Sequence, residues 1–202
     1  MKKEILINVL LVVFFSLNLV TASSQDKASL TKGETINYIN KKVKECIGHF
    51  RTPVGFNSPV YYYDAKFKED GDNVTLEIES SNYSERKSEC DYWVRSTWQT
   101  FNPGKIVSIT DETINAKDPI GIIILKLNST TGISKNYVQW YRTKYTDGTC
   151  KNFGNGDGTK TQSIKEVGLI FQHADPENFN KLKKALGYLR DLYKAEDDPF
   201  GN

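Results

Sequence analysis

The stretch DPENFNKLKKALGYLRDLYKA, residues 175–195, constrains the fold more than any other part of the chain. Asp175 is a typical helix-capping residue, and Pro176 suits the first helical position, where its missing N–H costs nothing. Apolar side chains then recur every three or four residues, at Phe179, Leu182, Leu186, Leu189 and Tyr193. This period predicts one amphipathic helix of about five turns. Because its apolar stripe must be buried, the rest of the chain has to provide a surface that covers it.

The beginning of the chain is typical of a secretory signal peptide. Two lysines precede an apolar run over residues 5–20, and small residues follow this run. The run is shorter than the roughly 20 apolar residues that span a membrane. We therefore expect a secreted or periplasmic protein that is not anchored in a membrane after cleavage. The predicted divisions are a signal peptide over residues 1–22, a flexible N-terminus over 23–32, a single α+β domain over 33–196 and a disordered tail over 197–202.

Charge is nearly balanced along the chain. There are 27 Lys and Arg residues against 25 Asp and Glu residues, and the formal net charge is +2. Binding to nucleic acid or to an anionic membrane surface depends on a basic patch or a basic excess. The composition therefore argues against both kinds of partner.

A second amphipathic helix is expected near the start of the domain. Thr31 and Glu34 have the spacing of a capping box. The segment ETINYINKKVKECIGHF places its apolar residues on one stripe, at Ile36, Ile39, Val43, Cys46, Ile47 and Phe50. This pattern predicts a helix over residues 33–48 whose lysines lie in solvent.

After residue 53 the period changes from that of a helix to that of strands. YYYDAKFK leads through an Asp70-Gly71 turn into NVTLEIE, which predicts a hairpin with one solvated face. Further strands are predicted over residues 92–101, 106–110, 121–127, 137–145 and 167–172. The run GIIILKL at 121–127 is expected to be the most buried strand.

The glycine-rich segment CKNFGNGDGTKT, residues 150–161, has three interpretations: a phosphate-binding loop, a calcium-binding loop and a flexible hairpin connection. No helix pattern follows it, which argues against a phosphate-binding loop, and it lacks the ligand series of a calcium-binding hand. We interpret it as a flexible hairpin connection, because its glycines permit many backbone conformations.

Seven mostly antiparallel strands followed by one amphipathic helix predict an α+β fold. The expected architecture is a bent sheet or barrel, with the N-terminal helix and the C-terminal amphipathic helix packed on it. Over residues 58–195 this order resembles the topology of the pleckstrin-homology-like superfold. Phosphoinositide-binding members of that superfold use clustered basic residues at the first hairpin. Here KFKEDGDNVTLEIE sets Lys66 and Lys68 among acidic residues, so no phosphoinositide site is expected.

The order of elements and the tail motif KKALGYLRDLYKAEDDPF are also similar to those of small exported proteins from Bacteroidetes-type bacteria. Those proteins are of uncharacterised function, so this resemblance implies export and a domain type rather than an activity.

The chain contains three cysteines, Cys46, Cys90 and Cys150. Cys46 lies on the apolar stripe of the first predicted helix, whereas Cys90 and Cys150 lie in polar, loop-like segments. An oxidising compartment favours bridges between exposed loops, so we predict a disulfide between Cys90 and Cys150 and a free Cys46. The sequence alone leaves the other pairings open.

The sequence contains no motif that carries catalysis. His49 and His173 are the two histidines, and neither stands in a zinc-ligand pattern. Metalloprotease, nucleophile-elbow and Walker motifs are absent as well. The sequence therefore predicts no catalytic residue, no cofactor and no metal site, and we expect a protein that is not an enzyme.

Aromatic residues supply the candidate binding surface. Where two aromatic residues are adjacent in a strand, one ring faces away from the core unless a helix or a loop covers that side. We predict an exposed aromatic surface formed by Tyr62, Trp93 and Tyr141, for which a protein, a peptide or a glycan is the expected partner. The leading hypothesis is an exported, non-enzymatic binding or interaction domain. The alternative is a carrier of a small apolar ligand in a β-barrel cavity.

Overall fold

Two helices and nine strands form the described part of the computed structural model. It describes residues 30–53, 58–86, 89–113, 117–129, 132–146 and 149–197, with side chains described outside 83–92 and 140–157. The helices are α1 (Lys32–Lys44) and α2 (Asn178–Asp197). The strands are β1 (Phe50–Arg51), β2 (Val60–Asp70), β3 (Asn73–Arg86), β4 (Glu89–Phe101), β5 (Ile106–Asp111), β6 (Ile120–Leu127), β7 (Gly132–Thr146), β8 (Thr149–Ile164) and β9 (Glu166–Gln172). A short 3-10 helix, Pro103–Lys105, joins β4 to β5.

The strands form two antiparallel sheets. The large sheet has six strands in the order β1-β2-β3-β4-β7-β8, and the small sheet has three in the order β5-β6-β9. The α+β class and the antiparallel pairing are as predicted. The seven-strand count and the barrel are not confirmed, because in the described residues the large sheet has two open edges, β1 and β8.

Strand β8 accounts for part of this difference. Residues 150–161, interpreted as a flexible connection, belong to a strand of 16 residues that pairs with β7. Its glycines and polar residues lack the apolar alternation of a half-buried strand, so pairing with β7 rather than a local pattern makes it extended.

The predicted hairpin is confirmed, with one change of phase. β2 and β3 pair across the Asp70-Gly71 turn, where Gly71 has a φ of 59°. The register shifts between Tyr62 and Asp64, so that Tyr63 is an extra residue in β2. Because a β-bulge of this kind reverses the alternation of faces, the core side of β2 carries Tyr62 before the bulge and Ala65 after it.

Both sheets and both helices share one hydrophobic core. The stripe of α2 is buried as predicted, with Leu182, Leu186 and Leu189 each 0% exposed. Helix α1 packs against β2, α2 and β9, while α2 packs against the 3-10 helix, β5 and β9.

Helix α1 also protects the edge of β2, since the Asn40 side chain accepts a hydrogen bond from the Phe67 backbone N–H at 3.0 Å. β6 is the central strand of the small sheet, and Ile123 and Leu125 in it are completely buried.

Both predicted helices have shifted ends. α1 ends at Lys44, so Ile47 and Phe50 leave the predicted stripe and are 39% and 37% exposed. α2 begins at Asn178 because a turn precedes it, in which Asp175 Oδ1 accepts a hydrogen bond from the Glu177 N–H at 3.0 Å.

The start of α1 and the end of α2 meet at the turn end of β2. Lys32 Nζ lies 3.0 Å from Glu69 Oε1 and 2.9 Å from Glu196 Oε2. The same ammonium group lies 4.0 Å from the ring centroid of Tyr193, whose hydroxyl donates to the Asn73 carbonyl at 3.3 Å. These contacts join the first helix, the last helix and the β2–β3 hairpin.

Residues from Lys32 onward form one compact unit. The predicted signal peptide and most of the predicted N-terminal and C-terminal flexible segments lie outside the described residues. None of the helices in the described ranges has the length and apolar character needed to cross a membrane.

Candidate functional site

The candidate site is the face of the large sheet that points away from the core, which we call the outer face. Cross-strand pairing places its residues in rows, for example Phe50, Tyr61, Ser81 and Val94, then Lys66, Glu77, Trp98 and Lys135. The helices and the small sheet pack on the opposite side, around the side chains of Phe67 and Leu76. The main packing contacts of the described helices and of the small sheet lie on the opposite side, and most described side chains of the outer face are exposed or half-buried.

Three aromatic side chains form an exposed group at the β1 end of the outer face. Phe50 and Tyr61 are cross-strand partners, and their ring centroids lie 5.6 Å apart. Tyr63, the bulge residue, follows on the same side of β2. Phe50, Tyr61 and Tyr63 are 37%, 46% and 40% exposed. We call these three residues the aromatic corner.

Trp98 lies on the same face, two strands from the aromatic corner. It is half-buried and borders a shallow pocket of about 30 Å³ that Asp64, Glu79 and Ser96 also line. Lys135 Nζ lies 5.7 Å from the Trp98 ring centroid. An indole ring is therefore presented beside carboxylate and hydroxyl groups.

The charges of this face are paired within the sheet. Lys66 Nζ donates to Asp64 Oδ2 at 2.6 Å, and Lys68 Nζ lies 2.6 Å from Glu77 Oε1. The hydrogen bond from Lys66 holds the pKa of Asp64 below its usual value, and the same bond raises the pKa of Lys66. Of the remaining charges, Glu79 and Lys135 are of opposite sign, and Asp70 accepts a hydrogen bond from the Thr75 hydroxyl at 3.0 Å, so the described outer face has no basic excess.

The structure does not bring the predicted aromatic surface together. Tyr62 is 7% exposed and points into the core, so its assignment to an exposed surface is wrong. The cause is the bulge at Tyr63, which reverses the faces of β2. Trp93 is partly buried on the core side of the sheet, and the Arg95 guanidinium carbon lies 4.8 Å from its ring centroid. The side chain of Tyr141 lies outside the described part of the structure, and its backbone pairs with Tyr92 rather than Trp93.

The aromatic surface predicted from the sequence does not include the outer-face residues Phe50, Tyr61, Tyr63 and Trp98. The available signal was the alternation in YYYDAKFK, which places Tyr61 and Tyr63 on one side. The bulge at Tyr63 hides this signal, because the buried Ala65 and Phe67 follow the exposed Tyr61 and Tyr63 at even spacing.

The backbone register does not support the predicted Cys90–Cys150 disulfide. Cys90 pairs with Thr143 and Cys150 pairs with Tyr145, so β7 lies between the two positions. Two strand spacings of about 4.8 Å place the Cα atoms roughly 10 Å apart or more, whereas a disulfide requires about 4.4–6.8 Å. The two side chains themselves are outside the described part. Cys46 is free and buried, as predicted.

The histidines do not form a recognisable centre. His49 Nε2 lies 3.3 Å from Gln172 Nε2, and the His173 ring packs edge-on against Phe171. Within the described ranges, no group of three or more His, Cys, Asp or Glu side chains is placed to hold a metal ion.

Comparison with protein-family models, curated proteins and solved structures finds no match to this chain. The resemblances to the pleckstrin-homology-like superfold and to exported Bacteroidetes-type proteins therefore stay predictions. The outer face is the feature on which a functional proposal can be built.

Proposed function

We propose that this chain is an exported, non-enzymatic binding domain whose ligand lies on the outer face of the large sheet. The observation that carries the proposal is the aromatic corner, three neighbouring rings on the outer face that are each 37–46% exposed. Single exposed apolar residues are normal on soluble proteins, whereas a contiguous group of them marks an interaction site.

The surroundings of the corner support an extended binding surface rather than a local anchor. Trp98 continues the aromatic character across β3 to β4. Tyr61 is in register with Val94, four residues before Trp98, so the two aromatic residues lie roughly 16 Å apart at about 4.8 Å per strand and 3.3 Å per residue. Tyrosine and tryptophan contribute large contact areas and keep a polar group for hydrogen bonding. A ligand lying across these strands would contact both aromatic positions.

The described structure gives no particular support to the carrier hypothesis. The large sheet is open at β1 and β8, and the space between it and the helices holds large buried side chains such as Phe67, Phe101 and Phe171. A carrier needs an enclosed cavity of about 300–1,000 Å³, while the outer-face pocket measures about 30 Å³.

The test compares a corner variant with a matched control. Phe50→Ser/Tyr61→Ser removes two exposed rings of the outer face, and Val107→Ser removes an apolar side chain that is 59% exposed on β5 of the small sheet. Each immobilised protein is exposed to fractionated envelope extract and culture medium of the producing cells, and retained mass is measured by surface plasmon resonance.

The wild type and Val107→Ser should retain the same component, and the double variant should bind it at least about tenfold more weakly. Hydrogen exchange of the wild type should slow in β2, β3 and β4 when the component is bound. Equal retention by all three proteins would place the ligand elsewhere, and no retention by the wild type would contradict the proposed function.

A further inference from the structure

The depth of the outer face limits what it can recognise. The pocket beside Trp98 has a volume of about 30 Å³, far below the roughly 300–1,000 Å³ of a small-molecule pocket. Protein and peptide partners usually bind through anchor side chains that fill desolvated pockets. Contact at Trp98 therefore has to be flat stacking with hydrogen bonds at the side.

The composition around Trp98 also disfavours a protein partner. The centres of protein interfaces are enriched in aromatic residues, Arg and Met and depleted in Lys, Glu, Asp and Ser. On the outer face the neighbours of Trp98 are Lys66, Glu77, Glu79 and Ser96. Neither Arg nor Met occurs among the outer-face side chains that the structure describes.

Charge excludes another class of ligand. Polyanions such as nucleic acids are bound through an excess of Lys and Arg. Here Lys66 neutralises Asp64 and Lys68 neutralises Glu77, with a nitrogen–oxygen distance of 2.6 Å in each pair. A polymer without net charge suits this surface better.

The hydrogen-bonding groups select a ligand rich in hydroxyls. A carboxylate only accepts hydrogen bonds, and a hydroxyl both donates and accepts. Glu79 is exposed and pairs with Ser96, which is two residues from Trp98 on β4, and all three residues line the pocket. A sugar offers hydroxyl donors at its edge and a flat C–H face that packs on an indole ring.

Building on the proposed function, we infer that the outer face binds a neutral oligosaccharide. Trp98 stacks on a sugar ring, Glu79 accepts hydrogen bonds from its hydroxyls, and the aromatic corner contacts a further sugar of the same chain.

The first experiment identifies the chemical class of the retained component. The envelope extract is treated either with protease or with periodate, which cleaves vicinal diols, before it passes over the immobilised wild type. Retention should survive protease and disappear after periodate. Retention that is lost to protease and resists periodate would overturn the sugar assignment while leaving the proposed binding function intact. No retention from the untreated extract would overturn both.

The second experiment locates the site with defined probes. Neutral 1,4-linked hexasaccharides of glucose, xylose and mannose are titrated by calorimetry, with hexagalacturonate as the charged comparison. At least one neutral probe should bind. Glu79→Gln should weaken it about tenfold, the effect of losing a charge-assisted hydrogen bond, and Trp98→Leu should weaken it at least as much.

The controls separate a lost contact from a lost fold. Glu112→Gln changes an exposed carboxylate on the loop after β5, and Val107→Ser changes an exposed apolar side chain of the small sheet. Both should bind like the wild type. Because Glu79 is exposed, Glu79→Gln tests the site even if Trp98→Leu does not fold. Failure of every neutral probe, binding of the charged probe alone, or unchanged affinity in Glu79→Gln would each contradict the inference.

Discussion

At the scale of single residues, burial controls the chemistry of Cys46. Its side chain is 0% exposed, and burial raises the pKa of the thiol to about 12. The thiolate is the reactive form, so little of it is present at neutral pH. We predict that iodoacetamide leaves Cys46 unmodified in the native protein and labels it in urea, as read by peptide mapping. Rapid labelling of Cys46 in the folded protein would show that α1 opens readily.

Tyr62 makes the stability of the folded protein decrease at alkaline pH. Burial is the main reason that its pKa is raised, and the nearby Arg51 charge offsets only part of this shift. The neutral phenol therefore favours the folded state. This contribution is complete below about pH 10, the ordinary pKa of tyrosine, and is lost as the pH rises towards the higher folded-state value.

We predict that the free energy of unfolding of the wild type falls more steeply above this pH than that of Tyr62→Phe. Urea titrations of both proteins on either side of the tyrosine pKa provide the measurement. Parallel pH profiles would mean that Tyr62 ionises as easily in the folded chain as in the unfolded one.

For Tyr62 the sequence predicts the strand correctly but not the face on which the side chain lies. Local alternation correctly indicated a strand with one solvated face, since each residue of an extended chain points opposite to the last. The phase of the alternation depends on one extra residue, Tyr63. Its position is fixed because Tyr62 pairs with Ser80 and Asp64 pairs with Glu79 of β3. No local pattern within β2 indicates that bulge, so the alternation predicts Tyr62 on the exposed face instead of Tyr61 and Tyr63.

At the scale of elements, the buried stripe of α2 is expected to dominate stability. Leu186 is 0% exposed in the middle of that stripe. Leu186→Ala should lower the free energy of unfolding by about 2–5 kcal/mol, through lost burial and the cavity it leaves. Leu186→Asp should prevent stable folding, because it buries an unpaired charge.

Lys184→Ala, on the exposed side of the same helix, is the matched control and should change stability little. Urea denaturation measures all three, and a stable Leu186→Asp protein would mean that the stripe faces a partner.

Elements with a strong local period were predictable, and elements shaped by distant pairing were not. Both helices and the β2–β3 hairpin carry their own signals in stripe, turn and alternation. β8 carries none, because a glycine-rich polar strand is made extended by its ladder with β7. The division into two sheets follows from β6 pairing with β9 across the whole β7–β8 hairpin, a long-range choice that leaves no local pattern.

At the scale of the whole molecule, one shared core predicts one unfolding transition. Trp93, Trp98 and Trp140 all lie in β4 and β7 of the large sheet, while α1 and α2 are packed between β2 and the small sheet. Tryptophan fluorescence therefore reports on the large sheet, and far-UV circular dichroism at helix wavelengths reports on α1 and α2. The two signals should give the same midpoint in urea. Separate midpoints would show that the β4-β7-β8 part of the sheet folds independently of the helices.

The ion pairs of Lys32 have a consequence for how the domain is displayed. Lys32 at the start of α1 and Glu196 near the end of α2 meet beside Glu69, at one end of β2. Tyr61 of the aromatic corner lies at the other end of that strand, roughly 25 Å away at about 3.3 Å per residue. Attachment through either Lys32 or Glu196 therefore fixes the same end of the unit that residues 32–197 form. A domain tethered there, on a sensor chip or a cell surface, would hold its aromatic rings at the opposite end of that unit, directed towards the surrounding medium.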